Sequence, residues 1–210
     1  MDEFEATVRA VRPVGPDTIA IEFDTPDGFT AAPGQFVRVT ATVADEEVSR
    51  FYTISSPDVA GSFEVTIGID PEGTFGPWIA DRDAGDTLQV KGPFGNSYYE
   101  GEERVVVLAG GPGVGPAVGI GERVLNDGGE VAIVYRDDEP AHEDRLAALS
   151  NAGAEVFLVA NGIEDAVPAA LSAVGGQVFI YGFADFLDDA LDALTDAGFD
   201  PDAAKIENFG

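Results

Sequence analysis

The spacing of apolar segments changes at about residue 101, and this change constrains the fold more than any other feature of the chain. Before it, short β-branched or alternating segments are separated by turn sequences, which predicts strands joined by tight connections. After it, short and continuously apolar segments alternate with helix-length segments, which is typical of a parallel sheet covered by helices. The sequence therefore predicts two domains, residues 1–100 and 101–210.

Six strands are predicted in the first domain, and their spacing favours a small antiparallel β-barrel. They are EATVRAVRPV, DTIAIEF, GQFVRVTATV, EVSRFYTIS, SFEVTIGI and DTLQVKG. Residues 73–83 interrupt this pattern and are predicted to form a loop and a short helix. The second domain is predicted to be a doubly wound α/β parallel sheet. Its strands are RVVVLAG, EVAIVYR, AEVFLVA, QVFIYG and AKIENF.

The composition excludes several kinds of chemistry. The sequence contains no cysteine and one histidine, His142. Disulfides, thiolate nucleophiles, zinc-thiolate sites and cysteine-ligated iron-sulfur clusters are therefore excluded, and a Ser-His-Asp triad or a multi-histidine metal site is not expected. Redox chemistry in this chain would need an organic cofactor. His142 itself is expected to be a solvated surface residue.

The charge is strongly negative, with 39 acidic and 11 basic residues and a net charge of -28. The acidic residues are spread over both halves, which argues against nucleic acid as a partner. With only two lysines, the composition is typical of a cytoplasmic protein of a salt-accumulating halophile; the alternative is an acidic protein of a non-halophile. No apolar run approaches the ~20 residues of a membrane span, and the first ten residues do not resemble a signal peptide. A soluble, cytoplasmic protein is expected.

A glycine-rich segment, residues 108–120, follows the first predicted strand of the second domain. Its glycines let backbone amides approach a ligand, and Pro116 suits the first turn of a helix whose amino end carries partial positive charge. A dinucleotide pyrophosphate fits such a loop, and a glycine-rich turn without a ligand is the alternative. Gly119 and Gly121 are expected to serve close packing. The candidate binding residues are Gly110, Gly111, Pro112, Gly113, Val114, Gly115 and Pro116.

Residues 50–53 place one of the scarce cations beside aromatic and hydroxyl side chains. Because side chains alternate along a strand, Arg50 and Tyr52 are expected on one face, and Phe51 and Thr53 on the other. This grouping suits an anionic aromatic ligand. The alternative is that Arg50 pairs with a carboxylate and Tyr52 packs in the core.

These segments, in this order, resemble the ferredoxin-NADP reductase superfamily of flavoprotein reductases. The resemblance is carried by PGQF at 33–36, RFYT at 50–53, the span 73–79, GPFG at 92–95, GGPGVGP at 110–116, YG at 181–182 and ENF at 207–209. It implies that the barrel binds FAD and that the parallel sheet binds NADH or NADPH. The implied activity is an FAD-dependent NAD(P)H oxidoreductase that passes electrons to a ferredoxin-like carrier protein or a small-molecule acceptor. The alternatives are an NAD(P)H:free-flavin reductase holding FAD or FMN loosely, and an electron-transfer or flavin-sensing module without nicotinamide turnover.

On the flavin side, the resemblance implies a role for each residue of the first motif. It assigns Arg50 to the flavin dinucleotide's pyrophosphate, Tyr52 to the face of the isoalloxazine ring and Thr53 to a hydrogen bond near flavin N5. Amides of a following turn would complete the phosphate site, although Gly76 stands where a serine is usual. Trp78 could touch the flavin or plug the barrel. The further flavin-binding candidates are Phe51, Gly73, Thr74, Phe75 and Gly76.

On the nicotinamide side, the sequence departs from the family in two places. Tyr181-Gly182-Phe183 stands where the family commonly has Cys-Gly-Pro, so Tyr181 is either a bulky neighbour that limits nicotinamide access or the end of a core strand. Gly182 is retained as a binding candidate. Pro112 replaces a small hydroxyl residue, and a slower or differently tuned hydride step is expected.

The remaining candidates lie at the end of the chain and after the second strand of the sheet. Glu207 and Phe209 match the family's closing acidic and aromatic positions. Phe209 is therefore either a gate over the flavin or an edge-strand packing residue. Arg136 could hold a 2′-phosphate, but the acidic residues that follow it favour NADH slightly. The catalytic candidates are thus Tyr52, Thr53, Tyr181, Glu207 and Phe209.

Overall fold

The computed structural model describes residues 2–210, which form two sheets. The first contains β1 (Asp2–Gly15), β2 (Thr18–Asp24), β3 (Phe36–Val43), β4 (Glu46–Thr53), β5 (Ser62–Gly68) and β6 (Thr87–Phe94), with α1 (Phe75–Ala80) between the last two strands. Their order is β4-β3-β6-β1-β2-β5, and every pairing is antiparallel. A bridge between Ile54 and Val65 joins the two edges, so the sheet closes into the predicted barrel.

The second sheet is parallel and carries helices on both faces. It contains β7 (Arg104–Gly110), α2 (Val114–Asn126), β8 (Glu130–Arg136), α3 (Glu143–Asn151), β9 (Glu155–Val159), α4 (Ala166–Ala173), β10 (Gln177–Gly182), α5 (Ala184–Asp196) and β11 (Lys205–Asn208). The order is β11-β10-β7-β8-β9. One apolar core lies between the sheet and α2 and α3, and another between the sheet and α4 and α5. The predicted doubly wound fold is confirmed.

The helices form where an apolar stripe recurs at helical spacing. In α5, Phe186, Leu187, Ala190 and Leu194 are buried against the sheet, whereas its aspartates are exposed. The helix is followed by Gly198 in the left-handed region, at φ 78°, where glycine has no steric cost. The strand β7 is buried along its length except at Arg104, as a central parallel strand must be.

The two domains are joined by partly buried polar contacts. We call this group the interdomain clamp, and it consists of Arg145 of α3, Glu64 of β5, Glu122 of α2 and the carbonyl of Ser55. Arg145 donates to Glu64 at 2.9 Å and to the Ser55 carbonyl at 2.7 Å, and it pairs with Glu122 at 2.7 Å. Arg12 holds the other oxygen of Glu64. Since these groups lie on different elements, the clamp constrains how the domains are oriented.

Candidate functional site

A cavity of about 340 Å³ lies between the barrel and the parallel sheet; we call it the front cavity. The predicted flavin segment and the predicted glycine loop both border it. Its lining consists of Arg50, Phe51, Tyr52, Thr53, Thr66, Ile67, Gly68, Asp70, Gly73, Thr74, Phe75, Gly76, Pro112, Pro116, Phe183 and Phe209. Such a volume lies within the range of small-molecule sites. The fold therefore brings together segments that are about 60 residues apart in the sequence.

The guanidinium of Arg50 lacks a carboxylate partner. It donates to the carbonyl of its own neighbour, Ser49, at 2.8 Å. Within the described residues, nine of the 11 lysines and arginines lie within 4.0 Å of a carboxylate, and the exceptions are Arg38 and Arg50. In a chain with 39 acidic residues, a basic side chain without a carboxylate partner is unusual. Arg50 is therefore available to bind an external anion.

Tyr52 presents an aromatic face to the same cavity. Its ring is stacked near that of Phe75, with centroids 6.3 Å apart and an interplanar angle of 20°. Burial raises the pKa of the phenol above its usual value, and the neighbouring Arg50 charge lowers it only in part. Tyr52 is therefore neutral at physiological pH. Thr53, which follows it, is buried and ends β4.

Successive side chains of β4 point to opposite faces, as predicted. Residues from both faces nevertheless line the same cavity. Tyr52 packs against the barrel core, whereas Phe51 contacts Phe36 and Phe94 on the opposite side. All four residues from Arg50 to Thr53 nevertheless line the front cavity. The reason is that β4 is an edge strand of the sheet order and ends at Thr53, so the cavity extends around the strand end.

A second cavity of about 710 Å³, the rear cavity, adjoins the first through Phe51, Thr53 and Phe209. Its lining is Phe36, Arg38, Phe51, Thr53, Lys91, Phe94, Glu207, Asn208, Phe209 and Gly210. Three phenyl rings meet there with centroids 5.6 to 6.1 Å apart. In the part of the chain that the structure describes, Arg38 Nε is the only buried side-chain nitrogen or oxygen without a hydrogen-bond partner. The rear cavity thus combines aromatic rings with the cationic side chains of Arg38 and Lys91 and the carboxyl group of Glu207.

The rear cavity was not predicted from the sequence. A usable signal was present, because two of the scarce basic residues, Arg38 and Lys91, lie directly opposite each other on β3 and β6. Lys91 also pairs with Glu3 at 3.2 Å. Placing the two cations side by side requires the register of the two strands, which are about 50 residues apart in the chain.

Packing explains most glycines of the predicted phosphate loop. A Cβ at Gly113 would lie 2.2 Å from the carbonyl oxygen of Tyr181, and one at Gly115 would lie 2.7 Å from Thr66 of the barrel. Gly110 faces the ring of Phe186. Gly111 differs, since its φ is 54° and a Cβ there would meet open space. The loop allows close approach of both neighbouring elements, and its role in binding pyrophosphate stays a prediction.

The two prolines of this loop are the residues that reach the front cavity. Pro112 lies in a 3₁₀ turn, and Pro116 lies in the first turn of α2, as predicted. Gly119 and Gly121 serve close packing, also as predicted. A Cβ at Gly119 would be 2.8 Å from the carbonyl oxygen of Ser55, across the domain interface, and one at Gly121 would be 3.1 Å from Ile133. Helix α2 is thus seated directly against the barrel.

Tyr181 lies in the core and does not line either cavity. Its side chain is completely buried, and its hydroxyl donates to the carbonyl of Ser97. Burial raises the pKa of this phenol. Its placement agrees with the end of a core strand, and the expectation of a bulky neighbour that limits nicotinamide access is not supported. Gly182 packs against Phe186, and its carbonyl accepts a hydrogen bond from the Phe209 amide at 3.0 Å.

Phe183, for which the sequence predicts no role, is exposed at the front cavity. It is 52% exposed, and its ring meets that of Phe209 edge to face. Glu207, on the neighbouring strand, lines the rear cavity, and burial raises the pKa of its carboxyl. The signal for Phe183 was present in the sequence, since a phenylalanine stands where the resembling family commonly has proline.

Other expected residues lie outside the two cavities. Arg136 pairs with Asp189 at 2.5 Å and lies over the Phe186 ring, so it is already engaged. Trp78 packs against the barrel core and carries Arg82 over its ring. This placement agrees with the predicted alternative in which Trp78 packs into the barrel and does not touch the flavin.

The expectation that His142 is a solvated surface residue is wrong. It is 4% exposed, with its Nε2 2.8 Å from the Thr66 hydroxyl at the domain interface. Burial, with smaller contributions from the Arg145 and Arg12 charges, lowers the pKa of His142 to about 3. The sequence contains no local pattern that reports this interface, because the covering residues come from the barrel.

Among the described residues, there is no group of three or more His, Cys, Asp or Glu side chains arranged to hold a metal ion. Across residues 2–210, no helix combines the length and the apolar character needed to span a membrane.

Comparisons with known proteins agree with the fold and the first domain. Residues 5–99 match the family model described as an oxidoreductase FAD-binding domain. The glycine betaine monooxygenase reductase subunit of Pseudomonas aeruginosa is 34% identical over 122 residues, which are 56% of this chain and 33% of that protein. NADH-cytochrome b5 reductase 1 of Dictyostelium discoideum is 32% identical over 108 residues, 49% of this chain and 38% of that protein. The chain thus spans about a third of the length of these relatives.

Solved structures match over both domains. The flavohem-like FAD/NAD-binding domain of nitric oxide dioxygenase from Vibrio cholerae has a TM-score of 0.85 at 17% identity, with both chains fully covered. The ferredoxin reductase of carbazole 1,9a-dioxygenase has a TM-score of 0.83 at 25% identity, covering 100% of this chain and 68% of that one. The two-domain fold of this chain is therefore similar to that of ferredoxin-reductase-like structures. Its barrel matches the FAD-binding domains of oxidoreductases, as predicted.

Proposed function

We propose that this chain is an FAD-dependent oxidoreductase that accepts hydride from NADH or NADPH and passes electrons to an external acceptor. The observation that carries the proposal is Arg50, which lacks a carboxylate partner among the described residues and lines an interdomain cavity with Tyr52 and Thr53. The match of the barrel to FAD-binding domains and the reductase names of the relatives support it. The acceptor is proposed to be a small electron-carrier protein or a small molecule.

The residues of the front cavity fit a flavin. Arg50 would hold the pyrophosphate, Tyr52 would lie against the ring, and Thr53 would donate a hydrogen bond to it. Residues 73–76 border the same space. When bound, the flavin would supply the capacity to accept a hydride and to release electrons singly or in pairs. The protein's own contribution is to bind and orient the two coenzymes.

The rear cavity favours FAD over FMN. Its phenyl rings and Arg38 suit an adenosine phosphate, and it adjoins the front cavity through Phe51. We expect Phe36→Ala to weaken FAD binding and to leave FMN binding unchanged, because FMN lacks the adenosine half. Titration of the apoprotein with each flavin, followed by fluorescence, measures both affinities. Equal weakening of both flavins would contradict this assignment.

Anaerobic titration of the purified, FAD-loaded protein tests the function. Addition of NADH or NADPH should bleach the visible flavin band, and the faster nucleotide identifies the donor; we propose NADH. A free-flavin reductase would instead lose its flavin on dialysis and reduce added FMN. An intact band with bound flavin would favour a module without nicotinamide turnover, which the Phe183–Phe209 contact at the cavity supports. A colourless protein that takes up no FAD would contradict all three.

The role of Arg50 is tested by a matched pair of variants. Arg50→Ala should lose FAD retention with little change in the free energy of unfolding of the apoprotein, because its guanidinium has no carboxylate partner and donates a hydrogen bond to a neighbouring carbonyl. Arg104→Ala removes an exposed arginine that pairs with Glu130, and it should leave FAD affinity unchanged. Equal FAD affinity in the two variants would exclude the pyrophosphate role.

We also propose that the protein works in the salt-rich cytoplasm of a halophile. The net charge of -28 supports this, because molar salt shortens the screening length to ~3 Å and so weakens repulsion between surface carboxylates. The melting temperature should rise steeply between low and molar KCl. A melting temperature independent of KCl would favour a non-halophile source.

A further inference from the structure

The ring of Phe183 is exposed although its backbone is held. The residue precedes α5, and its carbonyl accepts a hydrogen bond from the Leu187 amide at 3.0 Å. A Cβ at Gly182 would lie 2.8 Å from Phe186, so the preceding residue is closely packed. The side chain, in contrast, is 52% exposed. The backbone is therefore fixed by helix and core, while about half of the side chain is exposed at the cavity.

Phe183 and Phe209 form one aromatic contact at the front cavity. Their ring centroids are 6.0 Å apart with an interplanar angle of 89°, the edge-to-face geometry that aromatic pairs favour. Their backbones are linked by the hydrogen bond from the Phe209 amide to the Gly182 carbonyl. Displacing the Phe209 ring from the cavity therefore breaks its contact with Phe183.

We propose that Phe183 is a positioning residue that holds Phe209 over the front cavity and thereby restricts entry of the nicotinamide ring. This inference rests on the proposed function, since it concerns access of the nicotinamide nucleotide to the flavin. Tyr181 cannot take this part because it is fully buried. The restriction concerns the nicotinamide end of the nucleotide, because both rings border the front cavity, in which Tyr52 and Thr53 would hold the flavin ring.

Binding of two nucleotides to the FAD-loaded protein tests the proposal without turnover. Phe183→Ala should raise the affinity for NAD⁺ by about two- to tenfold, the range expected from losing one aromatic pair, as measured by calorimetry. The affinity for ADP-ribose, which lacks the nicotinamide ring, should not change. Phe183→Leu, which keeps apolar bulk without a ring, should behave similarly. Leu158→Ala removes an exposed apolar side chain of β9 that borders neither cavity, and it should change neither affinity.

A double-mutant cycle separates a role through Phe209 from a direct one. In a Phe209→Ala background, removing Phe183 should give no further gain in NAD⁺ affinity, because the restriction acts through the Phe209 ring. FAD content and circular dichroism establish that each variant is folded.

The outcomes distinguish failure of this inference from failure of the proposed function. ADP-ribose binding with an unchanged NAD⁺ to ADP-ribose ratio in Phe183→Ala would overturn the positioning role alone. A lower NAD⁺ affinity in that variant would also overturn it, since Phe183 would then be a contact of the nicotinamide ring. Absence of binding of both nucleotides to the wild-type protein and every variant would overturn the proposed function and, with it, the inference.

Discussion

At the residue scale, Gly76 marks the point where the predicted flavin segment departs from the family it resembles. A Cβ there would lie 3.5 to 3.6 Å from backbone atoms of Ile69 and Asp70, which is ordinary van der Waals contact. The residue lies in α1 and has no positive φ. A side chain is therefore tolerated sterically, and the glycine is not required by the backbone.

We expect Gly76→Ser to increase FAD affinity by up to about tenfold, because one added hydroxyl can donate to a phosphate oxygen. Fluorescence titration of the apoprotein measures the affinity. Gly76→Ala is the matched control, since it fills the same space without a donor and should bind FAD as the wild type does. Equal affinities in the serine and alanine variants would exclude a phosphate near this position.

A second residue-scale feature is the neutral, buried His142. Its pKa in the folded protein, about 3, lies below the value of about 6.5 for an unfolded chain. Between these pH values the unfolded chain binds a proton that the folded protein does not. The free energy of unfolding therefore falls as pH decreases through this window, by up to about 1.4 kcal/mol per pH unit from this group.

We expect His142→Asn to reduce that pH dependence. Asparagine tolerates the left-handed backbone at this position, where φ is 56°, and it does not titrate. Denaturation at pH 7.5 and 5.0, at constant high salt, gives the free energy of unfolding for both proteins. Equal losses on acidification in wild type and variant would assign the acid sensitivity to other groups.

At the element scale, α2 contains two closely packed glycines, Gly119 and Gly121, but only Gly119 faces the barrel. The missing Cβ of Gly119 faces a backbone carbonyl, which cannot move independently, at 2.8 Å. The missing Cβ of Gly121 faces the side-chain ends of Ile133 and Leu149 at 3.1 to 3.3 Å, and these can adjust. Both positions would gain about 1 kcal/mol of helix propensity with alanine.

We expect Gly119→Ala to lower the free energy of unfolding by about 1–3 kcal/mol, because the overlap with Ser55 forces α2 away from the barrel. Gly121→Ala should change it by less than about 1 kcal/mol, since the propensity gain offsets a smaller adjustment. Denaturant melts compare the two variants. If Gly121→Ala lowers the free energy of unfolding as much as Gly119→Ala does, the contact of α2 with the barrel is not the cause of the loss.

At the scale of the whole molecule, the clamp around Glu64 fixes one domain against the other. Glu64 is buried and shared by Arg145 and Arg12, so removing Arg145 leaves a carboxylate that is only partly compensated. Arg145 also bridges to Glu122 and to the barrel backbone. Its loss therefore affects contacts of three elements at once.

We expect Arg145→Met to lower the free energy of unfolding by about 1–3 kcal/mol, less than for a fully buried pair because Arg145 is partly exposed and Arg12 remains. Trp78, the single tryptophan, reports on the barrel, whereas circular dichroism reports on both domains. The two melts should separate in the variant. Arg104→Met changes a pair within one domain, so its fluorescence and circular dichroism melts should coincide. If the two melts of Arg145→Met also coincide and match those of the wild type, the clamp is contradicted.

What was predicted from sequence follows from local patterns. The change of hydrophobic period predicted both sheets, and the segment 73–83 was predicted as loop and helix, where α1 lies. The Arg50–Thr53 motif and the glycine loop were singled out by residue type, and the structure brings them to one cavity. Hydrophobic periodicity and turn preferences depend on residues that are close together in the chain. They can therefore be recognised from the sequence without knowledge of tertiary contacts.

Only the tertiary structure decided which partners these residues meet. It buried His142 and Tyr181, exposed Phe183 beside Phe209, and formed the rear cavity. It also decided which cations lack carboxylates among residues 2–210 and which glycines face another domain. The physical reason is that a hydrophobic pattern shows that one face of an element is covered. The identity of the covering element depends on contacts between residues far apart in the chain.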